Sequence, residues 1–312
     1  MHSKQSSPDT KLPDKTPILS GSFNIPCAHQ QTLHIQQPEP VGILNITPDS
    51  FSDGGELFHS KTGVNSSALH QKLSQWAPYC RIIDIGGEST RPGAQAVSAD
   101  EECARILPAI EWIRQYFPAL LISVDTRKAM VAQKAIQAGA HIINDVSGGQ
   151  YDNNMFKTVS ETEAAYILMH SQGLPASMQE APQYDDILQD LQAFFTAQLH
   201  SLRILGIPSN RIILDPGFGF GKSTQHNLTL LKHLKQLQTI QGEHHPMLVG
   251  LSRKSFLTLQ STFKEAQDIP NEQRDRLTAI AHAKAYQQGA LLYRTHCPIQ
   301  THNELALIQS LV

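Results

Sequence analysis

The sequence predicts an α/β protein that folds as a single (β/α)8 barrel of the TIM-barrel class. Three observations favour this fold. From residue 41 onward, eight short apolar runs alternate with helical patterns. The runs are almost continuously apolar, which is typical of parallel strands that are buried on both faces. The length of 312 residues also suits one barrel. On pattern alone, an open, doubly wound sheet is the alternative fold.

The predicted strands carry polar residues at or near their ends and are followed by helical patterns. In chain order, the predicted strands are residues 41–47, 81–86, 120–126, 141–146, 165–170, 211–215, 246–252 and 291–296. Between the second and third strands, Ser98 and Glu101 have the spacing of a capping box, and an apolar stripe follows them. Pro108 lies inside this helix and predicts a kink, while Gly139 and Gly206 predict helix ends.

Composition and charge limit the kind of partner and the compartment. The chain has 25 Lys and Arg against 28 Asp and Glu, so its net charge of −3 argues against nucleic acid as the main partner. No signal peptide or membrane span is apparent, and the four cysteines are far apart, which favours a soluble, cytoplasmic protein. We expect residues 1–40 to form an N-terminal tail with room for one short hairpin, and residues 41–312 to form the barrel.

Polar residues stand at the ends of the predicted strands, where barrel enzymes carry their chemistry. Any one of them has a plausible structural role, but together they predict a site on one rim. They are Asn45, Asp84, Asp125, Asn144, His170, Asp215, Arg294 and His296. Arg294 and His296 are two residues apart on the last strand, so both face the same side and form a candidate phosphate clamp. The alternative is an arginine that only pairs with a carboxylate of the rim.

The acceptors Asp125, Asn144 and Asp215 suit the edge of a pterin or purine, because one carboxylate can accept two parallel N–H donors. Asp84 and Asp125 leave open an acid–base pair of the glycosidase kind. No metal-binding sequence motif is present.

A glycine-rich segment follows the sixth strand and runs from Asp215 to Lys222. It resembles a P-loop, but Pro216 stands where that motif needs glycine, so we do not expect an ATP site. The glycines instead let a loop approach a flat ligand, with Phe218 or Phe220 as a wall.

Three further segments are candidates for substrate contacts. Residues 252–255, with the sequence SRKS, either place Ser255 at a helix start that holds a small carboxylate or form an ordinary cap. Residues 47–55 and 86–94 are rich in Gly, Pro and Ser, a composition that suits both mobile lids and inert turns.

Six segments, taken in order, resemble the motifs of bacterial dihydropteroate synthases. They are GILNITPDSFSDGG at 42–55, IDIGGESTRPG at 83–93, SVDT at 123–126, IND at 143–145, LDPGFGFGK at 214–222 and SRKS at 252–255. The resemblance implies a barrel, usually homodimeric, that condenses 6-hydroxymethyl-7,8-dihydropterin diphosphate with 4-aminobenzoate in folate biosynthesis. Such enzymes are sulfonamide targets, because these drugs mimic aminobenzoate.

The resemblance also implies a role for individual residues. Asn45 is the expected Mg²⁺ ligand, and Asn45, Arg294 and His296 are the expected diphosphate set. The pterin set is Asp125, Asn144, Met169, Asp215 and Lys254, and the aminobenzoate set is Thr90, Arg91, Pro92, Phe220 and Ser255. The expected catalytic residues are Asp53, Lys254, Arg294 and His296. One departure is Cys297, where the family usually has Asp after the last strand.

An SN1-like reaction is the mechanism that the resemblance implies. Diphosphate leaves first, and the neutral amine of aminobenzoate then attacks the pterin methylene carbon, so no strong base is needed. Two alternatives share the pterin set. They are a pterin-dependent methyltransferase that serves a corrinoid protein, and a pterin-binding paralogue without activity.

Overall fold

The structure is a computed structural model, and it describes residues 22–47, 58–59, 63–89, 96–173, 182–258 and 269–311. These ranges contain eight α-helices. They are α1 (Ser66–Trp76), α2 (Ala99–Tyr116), α3 (Ala129–Gln137), α4 (Met155–Thr162), α5 (Ile187–Ile204), α6 (Thr224–His233), α7 (Asn271–Gln287) and α8 (Pro298–Leu311). Short 3₁₀ helices span Ser209–Arg211, Leu234–Leu237 and Ser255–Thr258. None of the helices in the described ranges combines the length and apolar character needed to cross a membrane.

The same ranges contain fourteen β-strands. They are β1 (Phe23–Pro26), β2 (Thr32–Ile35), β3 (Glu39–Asn45), β4 (Phe58–His59), β5 (Gly63–Val64), β6 (Ile82–Gly86), β7 (Leu121–Asp125), β8 (Ile142–Asp145), β9 (Ala165–Met169), β10 (Ile212–Asp215), β11 (Thr239–Ile240), β12 (Glu243–His244), β13 (Leu248–Val249) and β14 (Leu292–Thr295).

Eight of the strands form one parallel sheet in the order β10-β9-β8-β7-β6-β3-β14-β13. A parallel bridge between Leu214 and Met247 joins the two edge strands, and the Leu214 N–H donates to the carbonyl oxygen of Pro246 at 3.0 Å. The sheet is therefore a (β/α)8 barrel, which confirms the predicted fold class and excludes the open sheet.

Neighbouring residues of a barrel strand enter two different cores. Ile82 packs with the side chains inside the barrel, whereas Ile83 packs with the layer between the strands and the helices. On β8, Ile142 likewise packs inside the barrel and Ile143 packs between the strands and the helices. Both faces of the strands are buried, and this is the physical reason why the sequence shows continuous apolar runs.

The antiparallel hairpin β1–β2 closes the N-terminal end of the barrel. Its side chains Ile25, Leu33 and Ile35 are fully buried in the inner core. The Ala28 N–H donates to the carbonyl oxygen of His141 at 3.2 Å, just before β8 begins. Because this end is filled by the hairpin, a ligand has access to the barrel from the C-terminal ends of the strands.

The eight predicted strands are all present, with ends that differ by one or two residues in most cases. The seventh differs more, since only Leu248–Val249 of the predicted 246–252 forms a strand. Pro246 has no N–H to donate to a ladder, which explains the late start. The predicted helix ends are confirmed, because Gly139 and Gly206 follow α3 and α5 with φ angles of 113° and 78°.

The helix before the third barrel strand shows half of the predicted capping box. The Ser98 hydroxyl accepts a hydrogen bond from the Glu101 N–H at 3.1 Å. The Glu101 carboxylate contacts Arg105 one turn later. The helix α2 continues through Pro108 to Tyr116.

Candidate active site at the carboxyl rim

The ends of four adjacent strands form one row across the rim. The register pairs Asn45 with Gly86, Gly86 with Asp125, and Asp125 with Asn144. Gly86 leaves the middle of the row open, because a Cβ at this position would lie 3.5 Å from Asn45 Oδ1 and 3.6 Å from the Asp125 Cβ. The amide of Asn45 and the carboxylate of Asp125 therefore approach the same space, as the strand-end pattern predicted.

Arg294 lies at the centre of a buried polar network. Its Nε donates to Asp84 Oδ2 at 2.6 Å, and its Nη2 donates to Asp125 Oδ2 at 2.7 Å. Asp84 Oδ2 also accepts from Asn144 Nδ2 at 3.0 Å. Arg294 thus pairs with rim carboxylates, as the alternative interpretation expected. A guanidinium has five N–H donors, so these two bonds still leave capacity for an anion.

Asp84 is the residue whose importance the sequence interpretation underestimated. Among the strand-end residues it was given only an open role as an acid–base partner of Asp125, whereas the structure buries it fully between Arg294 and Asn144. A signal was available in the sequence. Asp84 is two residues after Ile82, and period two places both side chains inside the barrel.

A second corner of the rim is built from β9, β10 and the segments that follow them. Met169 is buried and pairs in register with Asp215. The Asp215 Oδ1 accepts from the Gly217 N–H at 2.7 Å. Lys254 Nζ lies 4.3 Å from the centre of the Phe220 ring, a cation–π contact. Met169, Asp215, Phe220 and Lys254 are therefore brought together, as expected.

The two phenylalanines of the glycine-rich segment differ in position. Phe218 is buried in the core and stacks on Phe256, with ring centres 6.0 Å apart. Phe220 is only half-buried and faces Lys254. Of the two aromatic walls that the sequence left open, Phe220 is therefore the one at the rim.

The SRKS segment sends its side chains in different directions. Ser252 Oγ and His296 Nδ1 are 3.0 Å apart, so a hydrogen bond orients the imidazole. Arg253 turns away and pairs with Asp275 through bonds of 2.8 and 2.9 Å. Ser255 is exposed and begins a 3₁₀ helix, Ser255–Thr258, at the position where the sequence predicted a helix start, and residues 259–268 lie outside the described residues.

Cys297 packs beside the arginine of this segment. Arg253 Nη2 donates to the Cys297 sulfur at 3.3 Å. Cys297 directly follows His296 in the chain, and its sulfur lies 3.9 Å from Asp275 Oδ2, the partner of Arg253. The departure from the usual Asp therefore affects contacts around Arg253.

Burial moves the pKa of three rim groups toward neutral pH. Desolvation raises the pKa of Asp125 to about 7, although the charge of Arg294 acts in the opposite direction. Desolvation also raises the pKa of Asp215 to about 6, against the Gly217 hydrogen bond and the charge of Lys254. Lys254 has its pKa lowered to about 8, first by burial and then by Arg294. Perturbed groups of both signs in one place are characteristic of functional sites.

Four of the expected site residues, Asp53, Thr90, Arg91 and Pro92, lie outside the described residues. Within the described ranges, no group of three His, Cys, Asp or Glu side chains is placed to hold a metal ion by itself.

A closed parallel barrel with carboxylates, an amide and two cations on its open rim defines a barrel enzyme with a site for a polar heterocycle and an anion. Comparison with known proteins gives the family. The family model of the pterin binding enzymes matches residues 41–296, and the chain belongs to this family.

Its relatives include several dihydropteroate synthases. The enzyme of Synechocystis sp. is 42% identical over 246 residues, which are 78% of this chain and 82% of the relative. The enzyme of Escherichia coli is 38% identical over 293 residues, which are 91% of this chain and 95% of the relative. The chain thus matches these proteins over most of their length.

Solved structures give the same result. The Yersinia pestis dihydropteroate synthase in a sulfonamide drug complex superposes with a TM-score of 0.80 at 38% identity, covering 91% of this chain and 98% of the other. The Xanthomonas albilineans dihydropteroate synthase with 4-aminobenzoic acid gives a TM-score of 0.79 at 37% identity, covering 93% and 98%.

Proposed function

We propose that this enzyme is a transferase that condenses 6-hydroxymethyl-7,8-dihydropterin diphosphate with 4-aminobenzoate, giving 7,8-dihydropteroate and diphosphate for folate biosynthesis. The observation that carries the proposal is the meeting of Asp125, Asn144 and Asp215 with Arg294 and Lys254 on one rim. The names of the relatives support the same reaction.

The pterin ring is the ligand that suits the buried acceptors. Asn144 Oδ1 and Asp84 Oδ1 are buried and have no hydrogen-bond partner within the described part of the chain. Buried acceptors are costly unless a donor reaches them, and a pterin carries ring N–H and exocyclic NH₂ donors. In this proposal Asp125, Asn144 and Asp215 bind the heterocycle, Lys254 contacts it, and Met169 forms a wall.

The diphosphate is assigned to Asn45, Arg294 and His296. Arg294 has N–H groups beyond those that hold Asp84 and Asp125, and a guanidinium suits phosphate oxygens. Asn45 presents an amide oxygen at the same row, which is a suitable ligand for Mg²⁺ in company with substrate phosphates. When bound, Mg²⁺ would neutralise charge that develops on the leaving diphosphate.

The reaction then follows an SN1-like course. The bond between the pterin methylene carbon and the diphosphate oxygen breaks first, and Arg294 and His296 stabilise the negative charge of the leaving group. Asp53 is proposed to stabilise the cationic methylene carbon. The amine nitrogen of aminobenzoate donates its lone pair to this carbon and then loses a proton. Lys254 holds the pterin in place during both steps.

Aminobenzoate is proposed to bind against Phe220, with Ser255 near its carboxylate and Thr90, Arg91 and Pro92 completing the site. The half-buried ring of Phe220 beside Lys254 and the exposed hydroxyl of Ser255 support this placement. Sulfonamides share the shape of aminobenzoate, so we propose that they compete for this site.

Diphosphate release on mixing the two substrates tests the function. The wild-type protein should release diphosphate only when both substrates are present, and dihydropteroate should form in equal amount. Lys254→Ala should lower the rate by about 10²–10³, the usual loss when one preorganised donor is removed. The exposed Lys232→Ala on α6 is the matched control and should keep its activity. Turnover near the wild-type rate in Lys254→Ala would contradict the residue assignment.

The same assay separates the alternatives. A non-catalytic paralogue would bind the pterin without releasing diphosphate. A pterin-dependent methyltransferase would not need aminobenzoate and would instead transfer a methyl group to a corrinoid protein.

We also propose that the enzyme is a cytoplasmic homodimer. The described part of α7 and α8, two helices in contact, exposes Ile280, Leu307 and Leu311 at 69%, 59% and 75% of their area. Exposed apolar residues on adjacent helices favour a protein–protein contact. Sedimentation of the wild type and of Ile280→Asp tests this, with the dimer expected only for the wild type.

A further inference from the structure

Lys222 ends the glycine-rich segment and has no part in the reaction proposed above. Its position after Gly221 resembles the lysine of a P-loop, which binds phosphate. The structure gives it a different environment. The side chain is buried, with 2% of the residue exposed, and its Nζ is surrounded by acceptors of the protein itself.

Four acceptors lie within hydrogen-bond distance of Lys222 Nζ. They are His170 Nδ1 at 2.9 Å, the His170 carbonyl oxygen at 3.1 Å, the Gly217 carbonyl oxygen at 3.0 Å and the Phe220 carbonyl oxygen at 3.0 Å. An ammonium group has three protons. The protein already provides more acceptors than these protons can serve, so Lys222 is saturated and is not a phosphate ligand.

The acceptors belong to two different strand ends. His170 directly follows β9, whereas Gly217 and Phe220 follow β10. The two segments pack backbone against backbone, because a Cβ at Gly217 would lie 2.0 Å from the His170 carbonyl oxygen. Carbonyl oxygens that converge in a buried place repel one another, and a cation between them removes this cost.

The imidazole of His170 is suited to accept from Lys222. Burial lowers the pKa of His170 to about 2, and the charge of Lys222 acts in the same direction. The ring is therefore neutral near pH 7, and Nδ1 has a lone pair for the ammonium. An edge-to-face contact with Phe194, with ring centres 4.8 Å apart, helps to orient the imidazole ring.

The segments joined by Lys222 carry three residues of the proposed substrate site. Met169 precedes His170, Asp215 is bonded to the Gly217 N–H at 2.7 Å, and Phe220 supplies one of the carbonyl oxygens. A shift of either segment would move the pterin wall and the pterin carboxylate relative to each other.

We propose that Lys222 is a positioning residue for the pterin site, whose ammonium joins the segments after β9 and β10 and so fixes Met169, Asp215 and Phe220. This inference rests on the proposed function, because that function gives these three residues their ligand. Lys222 itself touches no substrate.

The test is calorimetric binding of 6-hydroxymethyl-7,8-dihydropterin diphosphate to the full-length protein at pH 6.5. Burial lowers the pKa of Lys222 to about 7 against the attraction of Asp215, so this pH keeps the ammonium form in excess. Lys222→Ala should raise the Kd at least tenfold. Propylammonium chloride should restore at least half of the lost affinity on a logarithmic scale, because it refills the space with an ammonium. Lys232→Ala, which removes an exposed lysine ten residues away, should stay within twofold of the wild type.

A Kd within twofold of the wild type for a folded Lys222→Ala protein would overturn the proposal, and so would a raised Kd that propylammonium does not lower. If Lys222→Ala does not fold, Lys222→Met keeps most of the length of the side chain without its donors and should show the same tenfold rise. Failure of both variants to fold, even with propylammonium, would mean that Lys222 serves the whole fold instead.

The proposed function fails in a different way. It is rejected if the wild-type protein neither binds the pterin diphosphate nor releases diphosphate with aminobenzoate. A wild type that does both, beside a Lys222→Ala protein with an unchanged Kd, rejects the positioning role alone.

Discussion

Replacing Arg294 with Met should destabilise the protein as well as inactivate it. Methionine keeps an apolar stem of similar shape but removes the two bonds, of 2.6 and 2.7 Å, to Asp84 and Asp125. The remaining carboxylates have little access to water, since the exposed fractions of their side chains are 0% and 10%. The substitution thus leaves two neighbouring acids without the cation that separates them.

The size of the effect follows from this geometry. Breaking a buried ion pair by removing one partner costs about 3–5 kcal/mol in the free energy of unfolding. For a chain of this length, that is a fall in Tm of about 5–8 °C, from roughly 2 cal/mol/K of unfolding entropy per residue. Because burial already raises the pKa of Asp125 to about 7, losing Arg294 must raise it further.

The sign of the pH dependence follows from that raised pKa. A carboxyl group whose pKa is higher in the folded state destabilises the fold once it ionises there, and the deficit disappears below the pKa of the unfolded chain, about 3.9. Between pH 4 and pH 7 the wild type already carries this cost at Asp125, so the loss specific to Arg294→Met should be largest above pH 7 and smaller at pH 5.

Thermal unfolding followed by circular dichroism at pH 7.5 and at pH 5 measures both effects. The double variant Arg294→Met with Asp84→Asn is the matched control, because a neutral amide at Asp84 removes one of the stranded charges. It should recover about 1–3 kcal/mol relative to the single variant. A loss below about 1 kcal/mol at pH 7.5, or no recovery in the double variant, would refute the reasoning.

Three further predictions concern the same rim. Asp215→Asn should abolish pterin binding in calorimetry yet raise the stability at pH 7.5 by about 2–3 kcal/mol. Burial raises the pKa of Asp215 to about 6, so the ionised carboxylate destabilises the fold at this pH, and a neutral amide removes that cost. The gain should vanish below pH 4, and a less stable variant would contradict the prediction. Gly217→Ala should lower the free energy of unfolding, measured in urea, by at least about 3 kcal/mol. The φ angle of Gly217 is 66°, and an added Cβ would collide with the His170 carbonyl oxygen. A urea midpoint equal to that of the wild type would be inconsistent with the structure. Cys297→Asp should change the free energy of unfolding by less than about 1 kcal/mol and kcat/KM by less than about threefold, because Arg253 already has a carboxylate partner. A larger change in either quantity would show that Cys297 affects the stability or the activity of the site.

The fold was predictable because its determinants are local and repeated. Each barrel strand sends one residue inward and the next outward, as Ile82 and Ile83 do, so burial on both faces appears in the sequence as an unbroken apolar run. The weakest point was the seventh strand. There the apolar run continues past the two residues that pair, and an apolar run alone cannot distinguish a strand from a buried turn.

The row of site residues on the rim was predictable for a related reason. Parallel strands end at the same edge, so residues at strand ends, such as Asn45, Asp125 and Asn144, become neighbours without any knowledge of packing. The pairing of side chains was not predictable. Arg294 bonds to Asp84 across 210 positions of sequence, and no spacing rule selects one rim carboxylate over another.

Lys222 shows a different limit of sequence interpretation. Three of its four acceptors are backbone carbonyl oxygens, which every residue has, so no residue type marks them in the sequence. The visible feature was the spacing of glycines before a lysine. Glycines at this spacing allow another group to come close to the backbone of the segment. In this structure the group that comes close is the segment after β9, and not a phosphate.

The closed end of the barrel stabilises the fold, whereas the open end carries the candidate site. At the closed end, Ile25, Leu33 and Ile35 of the hairpin are fully buried among apolar side chains, and apolar burial of this kind stabilises a fold by about 1.5–3 kcal/mol per side chain. At the open end, burial moves the pKa of Asp125 and Asp215 toward neutrality, which means that their ionised forms oppose folding at pH 7. A site with buried charges destabilises the free protein. The apolar core at the closed end offsets this cost, and it can do so because its packing does not involve the ligand.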